Sequence, residues 1–365
     1  MSSTLNLKER TEYAGIDLFK LIFSFFIVFI HCHPSGTLSY LTANGVGRLG
    51  VPFFFCAAGY FLAKKIYSAE NSLAGWKSIG AYLLRIFKMY ALWTVIYLPM
   101  IYVKYVLLNK WDFSRCLEEF KEAFFFTGSF SQLWYLPALL VAAAIVALLA
   151  KCRIHPAIIV TLGVGLFVIG MFNEAYGGLC PEWLKEWFVE HYDPTFVRTR
   201  NGLFFGTVFV AMGFFFAKKD KFEKNYLLDA GGLLFFGILV CMESYMLYKG
   251  GYSGSRYGMY LSVIPATFFC FRLARTIELP VKPKTALKMR KVSTLIYLSH
   301  QFMNALLISY VPNYLVKQGY IKSLGLNNTK EGFFIILFAA LGFSMIITHL
   351  GSKKNFVGKI CRFLT

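Results

Sequence analysis

A histidine, a lysine, an aspartate and a serine recur along one side of the first apolar segment, GIDLFKLIFSFFIVFIHCH at Gly15–His33. Together they could bind an anion at one end and move a proton at the other. At ~1.5 Å and ~100° per residue, a helix here separates Lys20 from His31 by about three turns and ~16 Å. Lys20, Ser24 and His31 then fall within roughly 40° of a single stripe, with Asp17 beside it. An ionisable group within an apolar span costs about 3 kcal/mol or more and persists where it faces protein or water. The stripe therefore reads as a polar track. Headgroup positions for Asp17 and Lys20, with an interfacial His31, account for the same window.

Polar groups interrupt apolar runs at further places. Arg48 opens GRLGVPFFFCAAGYFL, where small residues around Gly59 permit close helix packing. Snorkelling to headgroups also explains it. Trp134 and Tyr135 open LWYLPALL, as an interfacial aromatic belt would. Arg200 and Asn201 precede a helix start in VRTRNGLFFG, a place where free N–H groups favour anions. Glu243 lies late in its apolar run, within reach of an ion pair with Arg48 or Arg256. His300 lies well inside another run, STLIYLSHQFM, and an ionisable residue at that depth is a functional candidate. A metal centre is not expected: His31 and His33 sit ~200° apart on a helix. The eight cysteines show no metal-ligand spacing. Cys116 and Cys180 lie in loops expected on the same side, where they could pair.

The elements that must carry these residues follow from composition. The chain has 365 residues, 57% hydrophobic and only 16% charged, with a mean hydropathy of +0.55. A water-soluble domain of that length exposes far more charge. An all-α integral membrane protein is expected, as a single domain over 1–365. Its ten transmembrane helices are expected near 16–33, 46–63, 80–106, 132–150, 155–172, 202–217, 227–248, 257–279, 293–311 and 332–350. Pro99 should kink the third or end it early. The polar start before the first span resembles no cleavable signal. The net charge of +19 gathers in the loops and tail that share a side with the N-terminus, among them Lys64, Lys65, Lys151, Arg153, Lys288, Arg290, Lys353 and Lys354. The positive-inside rule then sets both termini in the cytoplasm. The basic excess faces anionic lipid, and no nucleic-acid partner is required.

Taken in order, GIDLFK…H, GRLGVPFFFCAAGYFL, LWYLPAL, TRNGLFFG and IYLSH resemble the acyltransferase-3 family of bacterial membrane proteins. That family has an arginine where this chain has Lys20, which keeps the cation and loses the bidentate fork. LWYLPAL, TRNGLFFG and the region from Glu243 to Pro265 look most like the membrane half of VanT-type serine racemases of glycopeptide-resistant bacteria. The resemblance implies a multipass protein of the bacterial cytoplasmic membrane. It implies transfer of an acyl group from acetyl-CoA or another cytoplasmic acyl-CoA to a hydroxyl acceptor at the cell envelope. His31 would be the catalytic base, oriented by a carboxylate for which Glu243 is the candidate. Lys20 and Arg85 would hold donor phosphates; Arg48, Arg200 and Asn201 would hold the acceptor or an oxyanion. Asp17, Ser24, Trp134, Tyr135 and His300 would line the track. The second implication is a module that binds or imports L-serine for a fused or associated cytoplasmic racemase. Pyridoxal phosphate would belong to that racemase, of which no segment is legible up to Thr365.

Overall fold

The computed structural model describes residues 13–32, 34–219, 223–252 and 257–364. It is helical throughout, with no strand among the described residues. The main helices are α1 (Ala14–Cys32), α2 (Gly50–Tyr67), α3 (Ser72–Tyr102), α4 (Tyr135–Lys151) and α5 (Pro156–Met171), followed by α6 (Thr207–Lys218), α7 (Tyr226–Lys249), α8 (Val263–Thr276), α9 (Pro283–Leu307) and α10 (Lys330–Gly351). Local chemistry marks several starts. Asn225 and Thr329 accept from the Leu228 and Gly332 amides to cap α7 and α10. Proline occupies the first turn of α5 and α9, where its missing N–H costs nothing.

Five helical stretches are long and apolar enough to cross a membrane: Ala14–Cys32, Thr37–Tyr67, Ser72–Leu108, Tyr226–Lys249 and Lys330–Gly351. α4, α5 and Gly202–Lys218 are apolar but shorter. Their outer faces suit lipid. Leu227, Leu234, Phe235 and Met242 of α7, and Phe334, Phe338 and Ile346 of α10, all lie exposed. Water does not tolerate apolar surface on that scale, whereas a bilayer covers it. Pro99 lies inside α3. α3 runs through it to Tyr102 and then widens into a π-helical segment at Val103–Leu108.

The chain divides into two compact units. The first combines Met1–Ala43, Met89–Leu133 and Ile277–Thr365, and the second Asn44–Lys88 and Trp134–Thr276. In the first, α9 packs on both α1 and α10. Val28, Cys32, Val292, Ile296, Ile336 and Ala340 form an apolar cluster there, with Ile308 beside them.

In the second unit α6 is central, packed on α2 and α5. Glycines set that distance. A methyl group on Gly59 would overlap the Val210 carbonyl, and one on Gly213 would overlap the Cys56 carbonyl. On α5, a Gly163 methyl would come 2.7 Å from the Val208 Cα. Small residues let the backbones approach so that dispersion contacts hold the helices together where water exclusion contributes little. α7 packs on α8, joined by an Asp229–Arg272 ion pair at 2.8 Å.

Candidate functional site

Three of the four track residues of α1 have described environments in the first unit. Asp17 is fully buried, and Arg290 of α9 grips it with two charge-assisted bonds, Nε to Oδ1 and Nη2 to Oδ2, each 2.9 Å. That fork is the geometry by which guanidinium matches carboxylate. Ser24 donates to the Leu21 carbonyl of its own helix at 2.7 Å. His31 is half-buried, and its ring lies 5.1 Å from the ring of His300, centroid to centroid, at 43°. Lys20 is half-buried on the same helix.

His300 is 1% exposed and rigidly held. Its Nδ1 lies 2.8 Å from the Tyr297 carbonyl and 3.1 Å from the Ile296 carbonyl, so Nδ1 carries the proton and donates. Nε2 is left as a buried lone pair with no hydrogen-bond partner among the described residues. The turn beneath it is pinned from α3. The Tyr97 hydroxyl donates to the Leu298 carbonyl and accepts from the Phe302 amide, both at 2.8 Å. Those are the two groups that a helical turn would otherwise join directly. Gln132 adds a bond to the Leu298 carbonyl at 3.3 Å, and the Tyr297 hydroxyl donates to the Gln132 carbonyl.

The second unit holds Arg48, Arg85, Trp134, Tyr135, Arg200, Asn201 and Glu243, with Arg85 exposed on the first half of α3. Arg48 sits in the 3-10 turn before α2 and donates to Asn44 Oδ1 at 2.5 Å. The Arg200 guanidinium lies 5.0 Å over the Trp134 ring and donates to the Tyr257 carbonyl at 3.2 Å. Asn201 uses both ends of its amide. Its Oδ1 caps the Leu203 and Phe204 amides, and its Nδ2 donates to the Tyr192 hydroxyl and the Arg198 carbonyl. Tyr135 is buried edge-on against Phe55 at 4.7 Å.

Glu243 anchors the start of α8. Its oxygens accept from the Leu261 and Ser262 amides, at 2.5 and 2.9 Å, and from the Ser262 and Tyr176 hydroxyls. A carboxylate at a helix start is stabilised by the unpaired amides there. Burial and the Glu243 carboxylate both push the Tyr176 phenol well above its ordinary range, so it remains a donor. Arg256, one of the ion-pair partners expected for Glu243, lies outside the described residues. Glu174 had no signal in the sequence beyond its charge. It is 2% exposed, and neither carboxylate oxygen has a hydrogen-bond partner among the described residues. Burial pushes its neighbour Tyr192 up to about 12. Arg290 and Tyr97 were also missed, since their partners stand far off in sequence.

Among the described residues, no cluster of three or more histidine, cysteine or acidic side chains could hold a metal ion, and all eight cysteines are free thiols.

Residues 13–349 match an acyltransferase domain, the acyltransferase-3 profile. An "amino-acid racemase" of Enterococcus faecalis is 24% identical over 95% of this chain and 46% of its own length. A "serine/alanine racemase" of Enterococcus gallinarum is 28% identical over 71% of this chain and 36% of its own. The chain thus spans about half, or less, of the curated relatives it matches. No solved structure matches it.

Proposed function

Since the chain belongs to the acyltransferase-3 family, we propose that it is a multipass module of the bacterial cytoplasmic membrane that moves an acyl group from cytoplasmic acyl-CoA to a hydroxyl at the cell envelope. In this reading ten helices cross the bilayer and both termini are cytoplasmic. His31 takes the acceptor's proton as its oxygen attacks the thioester carbonyl. The C–S bond breaks, and the departing thiolate takes up a proton. Lys20, on the same helix as His31 and nearer the cytoplasmic side, attracts the donor's phosphates. The observation that carries the reading is the half-buried His31, set against a second histidine within the matched domain. Imidazole is the side chain whose neutral, proton-accepting form prevails near neutral pH.

A second reading rests on the racemase names of the relatives and on Glu174. The module would bind or import L-serine for a fused or associated cytoplasmic racemase, which would hold its own pyridoxal phosphate. Glu174 offers an unpartnered carboxylate to an ammonium, in the same unit as the guanidinium groups of Arg48 and Arg200, which suit a carboxylate. Because Glu243 is already occupied, Glu174 is the better acid for that role.

Thermal unfolding of purified protein with acetyl-CoA, CoA or L-serine separates the two. A ligand at ~100 times its dissociation constant stabilises the fold by about 2.7 kcal/mol. Stabilisation by the CoA species, lost in Lys20→Ala, is the expected result. Stabilisation by L-serine alone, lost in Glu174→Gln, would replace acyl transfer with serine handling.

A further inference from the structure

The acyl-transfer reading needs a group that fixes which nitrogen of His31 is bare, and sequence suggested Glu243. Its oxygens are filled within the second unit by two backbone amides and two hydroxyls. His300 has what the role requires. Its Nδ1 proton is committed to main-chain carbonyls of its own helix, so its Nε2 is an acceptor in the neutral ring. That nitrogen is buried and unpartnered, which is costly unless a donor reaches it. The two tyrosine hydroxyls that brace this turn are committed: Tyr97 donates to the Leu298 carbonyl and Tyr297 to the Gln132 carbonyl. The facing ring is His31. Two imidazoles joined by one N–H···N bond have centroids about 5 Å apart, and these stand at 5.1 Å. The rings are tilted by 43°, an angle that the broad final torsion of a histidine can vary.

We propose that His300 is the positioning partner of His31: Nε2 of His300 accepts the N–H of His31, which leaves the other His31 nitrogen unprotonated and aimed at the acceptor hydroxyl. The last clause rests on the acyl-transfer reading; the histidine pair does not. Tyr97 and Gln132 belong to the device, because they fix the Leu298 carbonyl and so the turn that holds His300. No bond is made or broken in this step; the pair selects a tautomer.

The test is nitrogen-15 NMR of the full chain, labelled at histidine, in detergent micelles, with His31→Gln used to assign the signals. In the wild type, His31 should favour one tautomer about tenfold, as expected for a single hydrogen bond, with a coupling across that bond to His300. His300→Phe should abolish the bias, and His300→Gln, which keeps an acceptor, should restore most of it. A merely structural role for His300 would leave the His31 tautomer unmoved. Equal tautomers in the wild type, or a bias that survives His300→Phe, overturns the pairing. Should His300→Phe fail to accumulate, the wild-type spectrum decides: the coupling supports the pair, and an unbiased His31 overturns it. A biased His31 in protein that transfers no acetyl group from acetyl-CoA would overturn the acyl-transfer reading and leave the pair standing.

Discussion

Asp17 is sealed from water, and Arg290 meets its carboxyl group with a planar fork of donors. Asp17→Asn leaves the guanidinium facing a neutral amide and should cost about 1–3 kcal/mol. That is less than for a fully buried pair, because the Arg290 side chain is 37% exposed. Thermal unfolding should reveal the loss, and adding Arg290→Gln should cost less than the sum of the two single changes. Glu174 is the opposite case, a buried carboxylate with no hydrogen bond. Glu174→Gln removes the charge and should raise the melting temperature by the equivalent of ~1 kcal/mol. A fall instead would mean that the carboxylate meets a cation the purified protein still carries. The sequence marked Asp17, His31 and His300 by type and depth alone. It could not pair Asp17 with Arg290, because the two are 273 positions apart.

At the scale of the helix, glycine positions on α5 give opposite expectations two residues apart. Gly163 faces the Val208 backbone at 2.7 Å, while nothing lies within 4 Å of a Cβ at Gly165. Gly165→Ala should therefore stabilise α5 by about 0.5–1 kcal/mol, through helix propensity alone. Gly163→Ala gains the same propensity but forces α5 and α6 apart, an overpacking cost of about 1–3 kcal/mol. Melting curves of the two variants should move in opposite directions, and equal shifts would contradict the α5–α6 contact. The sequence signalled close packing around Gly59, because small residues in an apolar run have few other uses. Which helix would approach was not legible there: Gly59 meets Val210, from a helix more than a hundred residues later.

For the whole molecule, the native cysteines test the proposed orientation. Cys152 is exposed at the end of α4, and Cys180 is partly exposed in the loop after α5. With both termini cytoplasmic, a membrane-impermeant maleimide added to intact cells should label Cys180 and spare Cys152 until the cells are permeabilised. The reverse pattern would invert the topology. Burial raises the Cys180 thiol above its ordinary range, with Lys185 opposing it and Glu182 adding to it. Only the thiolate reacts, so its labelling rate should keep climbing as pH passes the usual thiol range. Composition made the apolar helices legible from the outset. The division into two units was not, because each is assembled from stretches separated along the chain.

By itself the sequence determined the helical class, the apolar segments, the family motifs and the two histidines at depth. Those properties are local: hydropathy, spacing and residue type depend only on neighbours within a few turns. The tertiary structure decided the partners. It gave Asp17 to Arg290, set His300 against His31, and placed the Glu243 carboxylate on the amides at the start of α8. Among the described residues it left the Glu174 carboxylate without a hydrogen bond. Each outcome depends on which helices pack together, and residue types cannot specify that, because one carboxylate, guanidinium or imidazole can satisfy many partners. Packing selects one of them.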